Sequence, residues 1–297
     1  MKILVTGASG WIGSASVAAL IAAGHEVVAF ARSAQAHARL QTMGAEVARG
    51  TLDDLASLRA AASRAEGVVH LGYNHDFSQM AAAARTDRAA IETLAAVLEG
   101  SGGPLLIASG TLGLRAGGVG TERDMPSGAA HPRVDNAAYT LGLADRGLRP
   151  IVVRFAPTVH GGGGDHGFVA TLARIAREKG VSAFIGEGIN RWPAVHRSDA
   201  ARLVQLAVDK APAATVLHAV AEEGIATRAI AGALGAQLGL PVVSIPAERA
   251  AEHFGWMAMF FGADVPASSA ITQELLQWHP HGPSLLEDIA GGHYPGD

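Results

Sequence analysis

A chain of 297 residues, 49% hydrophobic and 17% charged, is long enough to bury one large core or two smaller ones, and it reads as a compact globule rather than a disordered chain. A net charge of -4 gives no basic footprint for nucleic acid or a membrane surface, so neither is expected as a partner. The absence of cysteine excludes disulfides, thiolate catalysis and cysteine-ligated zinc, and fits a reducing, cytoplasmic setting.

Lys2 runs directly into the strand-like Ile3–Val5, closed by Thr6-Gly7, which is unlike a signal peptide. Trp11–Ala23 reads as a helix, and Gly24-His25-Glu26 ends its apolar run before a bilayer would be spanned. There follow a strand at Val27–Phe30, a helix at Ala34–Met43, a strand at Glu46–Arg49 and a helix at Asp54–Ala62. A strand at Gly67–His70, a long helix at Phe77–Glu99, a strand at Leu105–Ala108, a helix at Asn136–Arg146 and a strand at Ile151–Arg154 complete the first half. Short apolar strands alternating with helices predict an α/β fold, a Rossmann-type doubly wound parallel sheet with its ligand crevice at the strands' carboxyl ends.

Beyond Arg154 the rhythm loosens. Thr158–Gly167, "TVHGGGGDHG", holds five glycines and reads as a loop. Helices are expected at Phe168–Glu178, Ser198–Asp209, Thr227–Leu238 and Ile271–Leu276, with strands at Val216–Ala219 and Val242–Ile245. The expected organisation is a dinucleotide-binding domain over 1–160 and a smaller, mainly substrate-binding C-terminal lobe over 161–297, with the chain crossing back to the sheet.

Thr6-Gly7-x-x-Gly10-x-x-Gly13 stands between the first strand and the first helix. In that context Gly7 permits the tight turn, Gly10 lets the backbone approach a pyrophosphate, and Gly13 lets helix and strand pack closely. An acid at the end of the second strand would bind a ribose 2′-hydroxyl. Ala31 stands there, followed by Arg32 and Ser33, a guanidinium and a hydroxyl suited to a 2′-phosphate. NADP is therefore expected rather than NAD.

The opening "KILVTGASGWIGSA" resembles the short-chain dehydrogenase/reductase superfamily, in its extended or atypical epimerase/dehydratase branch. "GTLDDLASLRAA", "VVHLGY", "LLIASGT", "VVRFAPTVHG", "RWPAVHRSDAARL" and "LLQWHP" carry the likeness along nearly the whole chain. The resemblance implies cofactor contacts at Ser9, Trp11, Ile12, Asp53, Leu71, Gly72, Pro157, Thr158 and Val159. It also implies a catalytic Tyr-x-x-x-Lys pair on a helix, and here the likeness fails. The chain's lysines are Lys2, Lys179 and Lys210, and none stands four residues after a tyrosine. Counted back from Arg154, the pair's usual place falls near Ala129–Arg133, so Tyr139 reads as a helix-packing residue.

The proton must then pass through another group. Ser109 and Thr111, at the end of the fifth strand, can hydrogen-bond a carbonyl or merely satisfy a turn. Tyr73 and His75 follow the fourth strand, while Asp76 beside them suits a helix N-cap. His160 and His166 lie on the glycine-rich run, where a metal site is less expected than substrate contact, and no metal is expected. The cluster "HFGWMAMFF", His253 to Phe261, reads as core, subunit contact or an apolar pocket. The leading expectation is an NADP-dependent oxidoreductase of a small, fairly apolar carbonyl or alcohol, monomeric or homodimeric. The alternatives are a nucleotide-sugar epimerase or dehydratase, and a non-catalytic NADP-binding redox sensor.

Overall fold

The computed structural model describes residues 1–74, 79–126 and 133–294. Its strands are β1 (Lys2–Thr6), β2 (Glu26–Ala31), β3 (Glu46–Arg49), β4 (Gly67–His70), β5 (Pro104–Gly110), β6 (Arg149–Phe155), β7 (Thr158–His160), β8 (Ser182–Ile185), β9 (Arg191–His196), β10 (Thr215–Ala219), β11 (Glu222–Ala226) and β12 (Val242–Ile245). The helices are α1 (Trp11–Ala22), α2 (Ala34–Thr42), α3 (Leu55–Ala62), α4 (Met80–Leu98), α5 (Arg133–Leu141), α6 (Phe168–Lys179), α7 (Arg197–Lys210), α8 (Thr227–Leu238), α9 (Ala250–Phe254), α10 (Met257–Phe261), α11 (Ala270–Leu276) and α12 (Leu285–Ala290).

Seven strands form one parallel sheet in the order β10-β6-β5-β4-β1-β2-β3. Successive side chains of a strand point to opposite faces, and both faces are covered. Ile3 and Val5 enter the core shared with Val17 and Leu20 of α1 and Leu203 and Val204 of α7. Leu4 between them enters the core shared with Leu58 of α3 and Ile91 and Leu94 of α4. This is the doubly wound Rossmann arrangement that the alternation predicts.

The remaining chain builds a second group of elements around its own core of Val169, Leu172, Trp192, Ile230, Phe254, Met257, Phe261 and Leu285. Its sheets are β11-β9-β7 and β12-β8. The glycine-rich run is not loop throughout, because Thr158–His160 pairs in parallel with Ala194–His196. The helix expected at Asn136–Arg146 runs instead from Arg133 to Leu141, followed by a 3₁₀ turn, Gly142–Arg146, that closes on Gly147 at φ +70°. The helix expected from Phe77 is described from Met80, since residues 77 and 78 lie outside the described residues. A further helix, α12, follows Leu276, opened by a capping box between Ser284 and Glu287.

Candidate active site

The glycine loop is a close-packed cradle. Gly7 has φ +64°, and a Cβ there would lie 2.7 Å from the backbone N of Gly72. A Cβ on Gly13 would lie 2.0 Å from the Gly7 carbonyl oxygen. Gly10 is the N-cap of α1, with extended backbone and no side-chain cap, so the first N–H groups of the helix stay open to an anion. Ser9 and Gly10 are exposed, and Trp11 and Ile12 are half-buried beside them. Trp11 Nε1 donates to the Val159 carbonyl at 2.7 Å, tying the cradle to β7. The Arg197 guanidinium lies 4.1 Å over the Trp11 ring and donates to Ser14 Oγ at 2.7 Å.

At the end of β2, Ala31 is buried and Arg32 exposed. Arg32 makes no hydrogen bond or ion pair among the described residues. Ser33 caps α2, its Oγ accepting from the Ala36 N–H at 3.2 Å, which leaves its own proton free to donate. Asp53 is exposed and accepts from Thr86 Oγ1 at 3.2 Å.

A buried polar chain runs behind the cradle. The Gly72 N–H donates to Thr6 Oγ1 at 3.1 Å, and Thr6 Oγ1 lies 2.7 Å from His70 Nδ1. His70 Nε2 lies 3.2 Å from Asp87 Oδ1 on α4, and Asn136 Nδ2 of α5 donates to Asp87 Oδ2 at 2.6 Å. With Asp87 ionised, His70 Nε2–H is the donor to it, and in that neutral tautomer His70 Nδ1 accepts the Thr6 hydroxyl proton. Burial pushes Asp87 up, yet the hydrogen bond and charge of His70, with Arg133 and Asn136, outweigh it and hold the carboxyl below its usual value.

Leu71 and Gly72 lead from β4 into Tyr73, whose ring lies 4.1 Å from the Arg133 guanidinium carbon. Ser109 sits near the end of β5 in register with Arg154. Thr111 is buried, and its Oγ1 finds no partner among the described residues, as is true of Thr158 Oγ1 just beyond Pro157. Thr111 also lines a cleft of about 160 Å³ with Leu114, Arg115, Val265 and Pro266. Two buried hydroxyls without partners among the described residues, Thr111 just after β5 and Thr158 shortly after β6, fit a polar dinucleotide bound at the carboxyl ends of these strands.

The histidines are divided. His160 is fully buried at the end of β7, its Nδ1 2.5 Å from Asp288 Oδ2 on α12 and its Nε2 3.9 Å from Glu222. His196 and His293 also face Asp288, at 3.8 and 3.3 Å. His166 is exposed on the glycine-rich loop, edge-on to Trp11 with ring centroids 6.5 Å apart. Its neighbour Asp165 accepts from Tyr294 Oη and the Gly167 N–H, but burial dominates and raises its carboxyl above the usual value. His75 lies outside the described residues, as does most of the stretch where the usual tyrosine is expected. Tyr139 packs between α5 and α4, with the Arg88 guanidinium 3.4 Å from its ring centre. Among the described residues no group of three or more histidines and acids has a geometry that would hold a metal ion.

Sequence reasoning passed over Arg133, Asp87, Asn136, Arg197 and Asp288. The available signals were a histidine inside the apolar run Gly67–His70 and an acid, Asp87, within the alanine-rich α4. Both are polar groups that burial obliges to find partners.

The family model described as the NAD dependent epimerase/dehydratase family matches residues 3–218. The chain belongs to this family. Within reach of it, an uncharacterized protein of Schizosaccharomyces pombe is 44% identical over 295 residues, 99% of this chain and 100% of its own. A 2-alkyl-3-oxoalkanoate reductase of Stenotrophomonas maltophilia is 30% identical over 217 residues, 68% of this chain and 63% of its own. Among solved structures, the UDP-glucose 4-epimerase of Thermotoga maritima with UDP-glucose superposes with a TM-score of 0.78 at 21% identity, covering 98% of this chain and 96% of that one. At that identity the likeness speaks for the fold, and this epimerase/dehydratase-family chain shares it from end to end.

Proposed function

We propose that this chain is an NADPH-dependent reductase of a small, fairly apolar carbonyl compound, working without a Tyr-x-x-x-Lys pair. The observation that carries the reading is the glycine cradle of Gly7, Gly10 and Gly13, with Ala31 where an acid would select NAD and, next to it, an exposed Arg32 that has no hydrogen-bond or ion-pair partner among the described residues. Gly7, Ser9, Gly10, Trp11, Ile12 and Gly13 hold the pyrophosphate end, Arg32 and Ser33 the 2′-phosphate, and Asp53 the adenine side. Leu71, Gly72, Pro157, Thr158 and Val159 line the nicotinamide end. The cofactor, when bound, supplies the hydride. Ser109 and Thr111 orient the carbonyl oxygen, and Tyr73, His75, His160 and His166 are the candidate acids.

The portion beyond residue 160 supplies the substrate side. Phe168, half-buried just after the glycine-rich loop, packs on Trp192, Trp256 and Phe260 with ring centroids 5.3 to 5.9 Å apart. Trp256 is exposed, which gives this wall an apolar face for a substrate. The name of the Stenotrophomonas relative points the same way, to a carbonyl on an alkyl chain.

The test follows NADPH absorbance with a panel of 3-oxo acids, ketones and aldehydes, and follows conversion of UDP-glucose by chromatography of the sugar nucleotides, because epimerisation leaves no net change in the cofactor. Turnover of apolar carbonyls is the expected outcome. Conversion of UDP-glucose alone would replace the reading with a sugar-nucleotide epimerase. Tight NADPH binding without turnover of any carbonyl would replace it with a cofactor sensor.

A further inference from the structure

Arg133 is the first described residue of α5, the helix on which a catalytic pair would be expected, and its guanidinium carbon lies 4.1 Å from the centre of the Tyr73 ring. Tyr73 hangs from the carboxyl end of β4, directly after Gly72, whose backbone closes on Gly7. We propose that Tyr73 is the proton donor of this site and that Arg133 takes the electrostatic part a lysine would otherwise play. The proposal rests on the reading that a carbonyl is reduced here.

Both partners are anchored by the same buried chain. On the Tyr73 side, the Gly72 N–H is held by Thr6, and Thr6 by His70. On the Arg133 side, Asn136 lies one helical turn along α5 and grips Asp87, the same carboxylate that receives His70. Strand β4 and helix α5 are thus clamped through Asp87, which fixes the phenol and the guanidinium relative to each other and to the glycine cradle.

Among the described residues, Arg133 from α5 and Asp87 from α4 are charges that act on Tyr73. Burial pushes the phenol up, Arg133 opposes that, and Asp87 adds to it, so the phenol is protonated at neutral pH. A group that starts protonated, with a permanent cation ready for its ionised form, is an acid rather than a base. As the carbonyl carbon receives hydride, the Tyr73 O–H bond breaks and its proton passes to the carbonyl oxygen. The phenolate is left beside the guanidinium and regains its proton from water. The carbonyl is reduced by two electrons and NADPH is the reductant oxidised.

The test has two independent readouts on Tyr73→Phe, Arg133→Gln and Arg133→Lys, each confirmed as folded by circular dichroism. The first is phenol ionisation by ultraviolet absorbance on cofactor-free protein, with Tyr73→Phe identifying the Tyr73 contribution against Tyr139 and Tyr294. Arg133→Gln should move the Tyr73 midpoint to higher pH, and Arg133→Lys should restore it most of the way. An unmoved midpoint overturns the pairing, whether or not any carbonyl is turned over. The second is single-turnover hydride transfer to a carbonyl the parent reduces. Tyr73→Phe should lose roughly 10²–10⁴-fold, the usual cost of removing a general acid, with NADPH affinity unchanged. Arg133→Gln should lose less, and Arg133→Lys should regain most of it. Parental transfer in Tyr73→Phe overturns the donor assignment. A parent that reduces no carbonyl would defeat the functional reading instead, while the titration still decides whether the two residues are coupled.

Discussion

His160 Nδ1 lies 2.5 Å from Asp288 Oδ2, joining the end of β7 to the last helix across a span of 128 residues. Asp288 is almost fully buried, and two more imidazoles, His196 and His293, face it. A carboxylate in that position holds α12 against β7 and β9, because each of the three histidines belongs to a different segment.

Asp288→Ala is therefore expected to destabilise the fold by about 3–5 kcal/mol, the usual cost of removing one partner from a buried ionic or hydrogen-bonded pair. Urea unfolding would show a lower midpoint at similar slope. A midpoint equal to the parent's would mean that the cluster does not hold the C-terminal helix.

Stability should fall as pH drops below about 6.5. Burial lowers the pKa of His196, His218 and His253 from the ordinary value of 6.5. The unfolded chain then binds protons before the folded one does, so their contribution is present above 6.5 and is lost as pH falls toward the depressed folded values. Asp165, raised by burial, acts in the opposite sense as it protonates, one group against three. Urea midpoints at pH 7.5 and 5.5 check the sign, and a higher midpoint at pH 5.5 would contradict it.

Arg32→Ala should erase most of the preference for NADPH over NADH. A charge-assisted phosphate contact is worth roughly 1.5–3 kcal/mol, or about one to two decades in affinity. Isothermal titration of both cofactors measures it, and equal dissociation constants in the parent would refute the assignment.

Tyr139→Phe should leave hydride transfer within a few-fold of the parent. The ring would still lie under Arg88, and only the hydroxyl is lost. A fall of roughly 10²-fold or more, the scale of a lost general acid, with cofactor affinity intact would return Tyr139 to the chemistry.

Gly13→Ala should abolish cofactor binding and lower the melting temperature. The added methyl would sit 2.0 Å from the Gly7 carbonyl, and backbone rather than a pliant side chain would have to yield. Parental NADPH affinity in this variant would show that the cradle relaxes freely.

The main sheet was legible because its signal is local. Ile3-Leu4-Val5 and Val27-Val28-Ala29 are short apolar runs bounded by turn residues, and each falls on a strand of the sheet. Strands β7, β8, β9 and β11 were not legible, because their local signal is weak: β9 carries Pro193, and β11 opens on two acids and a glycine. β7 also stands against a run of glycines that masks it. The capping box at Ser284 was readable as Ser-x-x-Glu and marks α12. At the site, the glycine motif carried its own context. The burial of His160 depends on Asp288, and the meeting of Tyr73 with Arg133 depends on two separate elements, so neither has a spacing to read.

Strand β10 pairs with β6 from Thr215↔Ile151 to Ala219↔Phe155, after β7, β8, β9, α6 and α7 have intervened. During synthesis the nascent sheet therefore keeps an open edge at β6 until Ala219 has left the ribosome. The guanidinium of Arg149 likewise waits for the carbonyls of Val208 and Ala211 at the end of α7. A chain released after His160 but before Thr215 would present that edge, with its unpaired N–H and C=O groups, to other chains. The order of emergence thus makes the stretch between Phe155 and Thr215 an interval in which a sheet edge that the folded protein covers stands open.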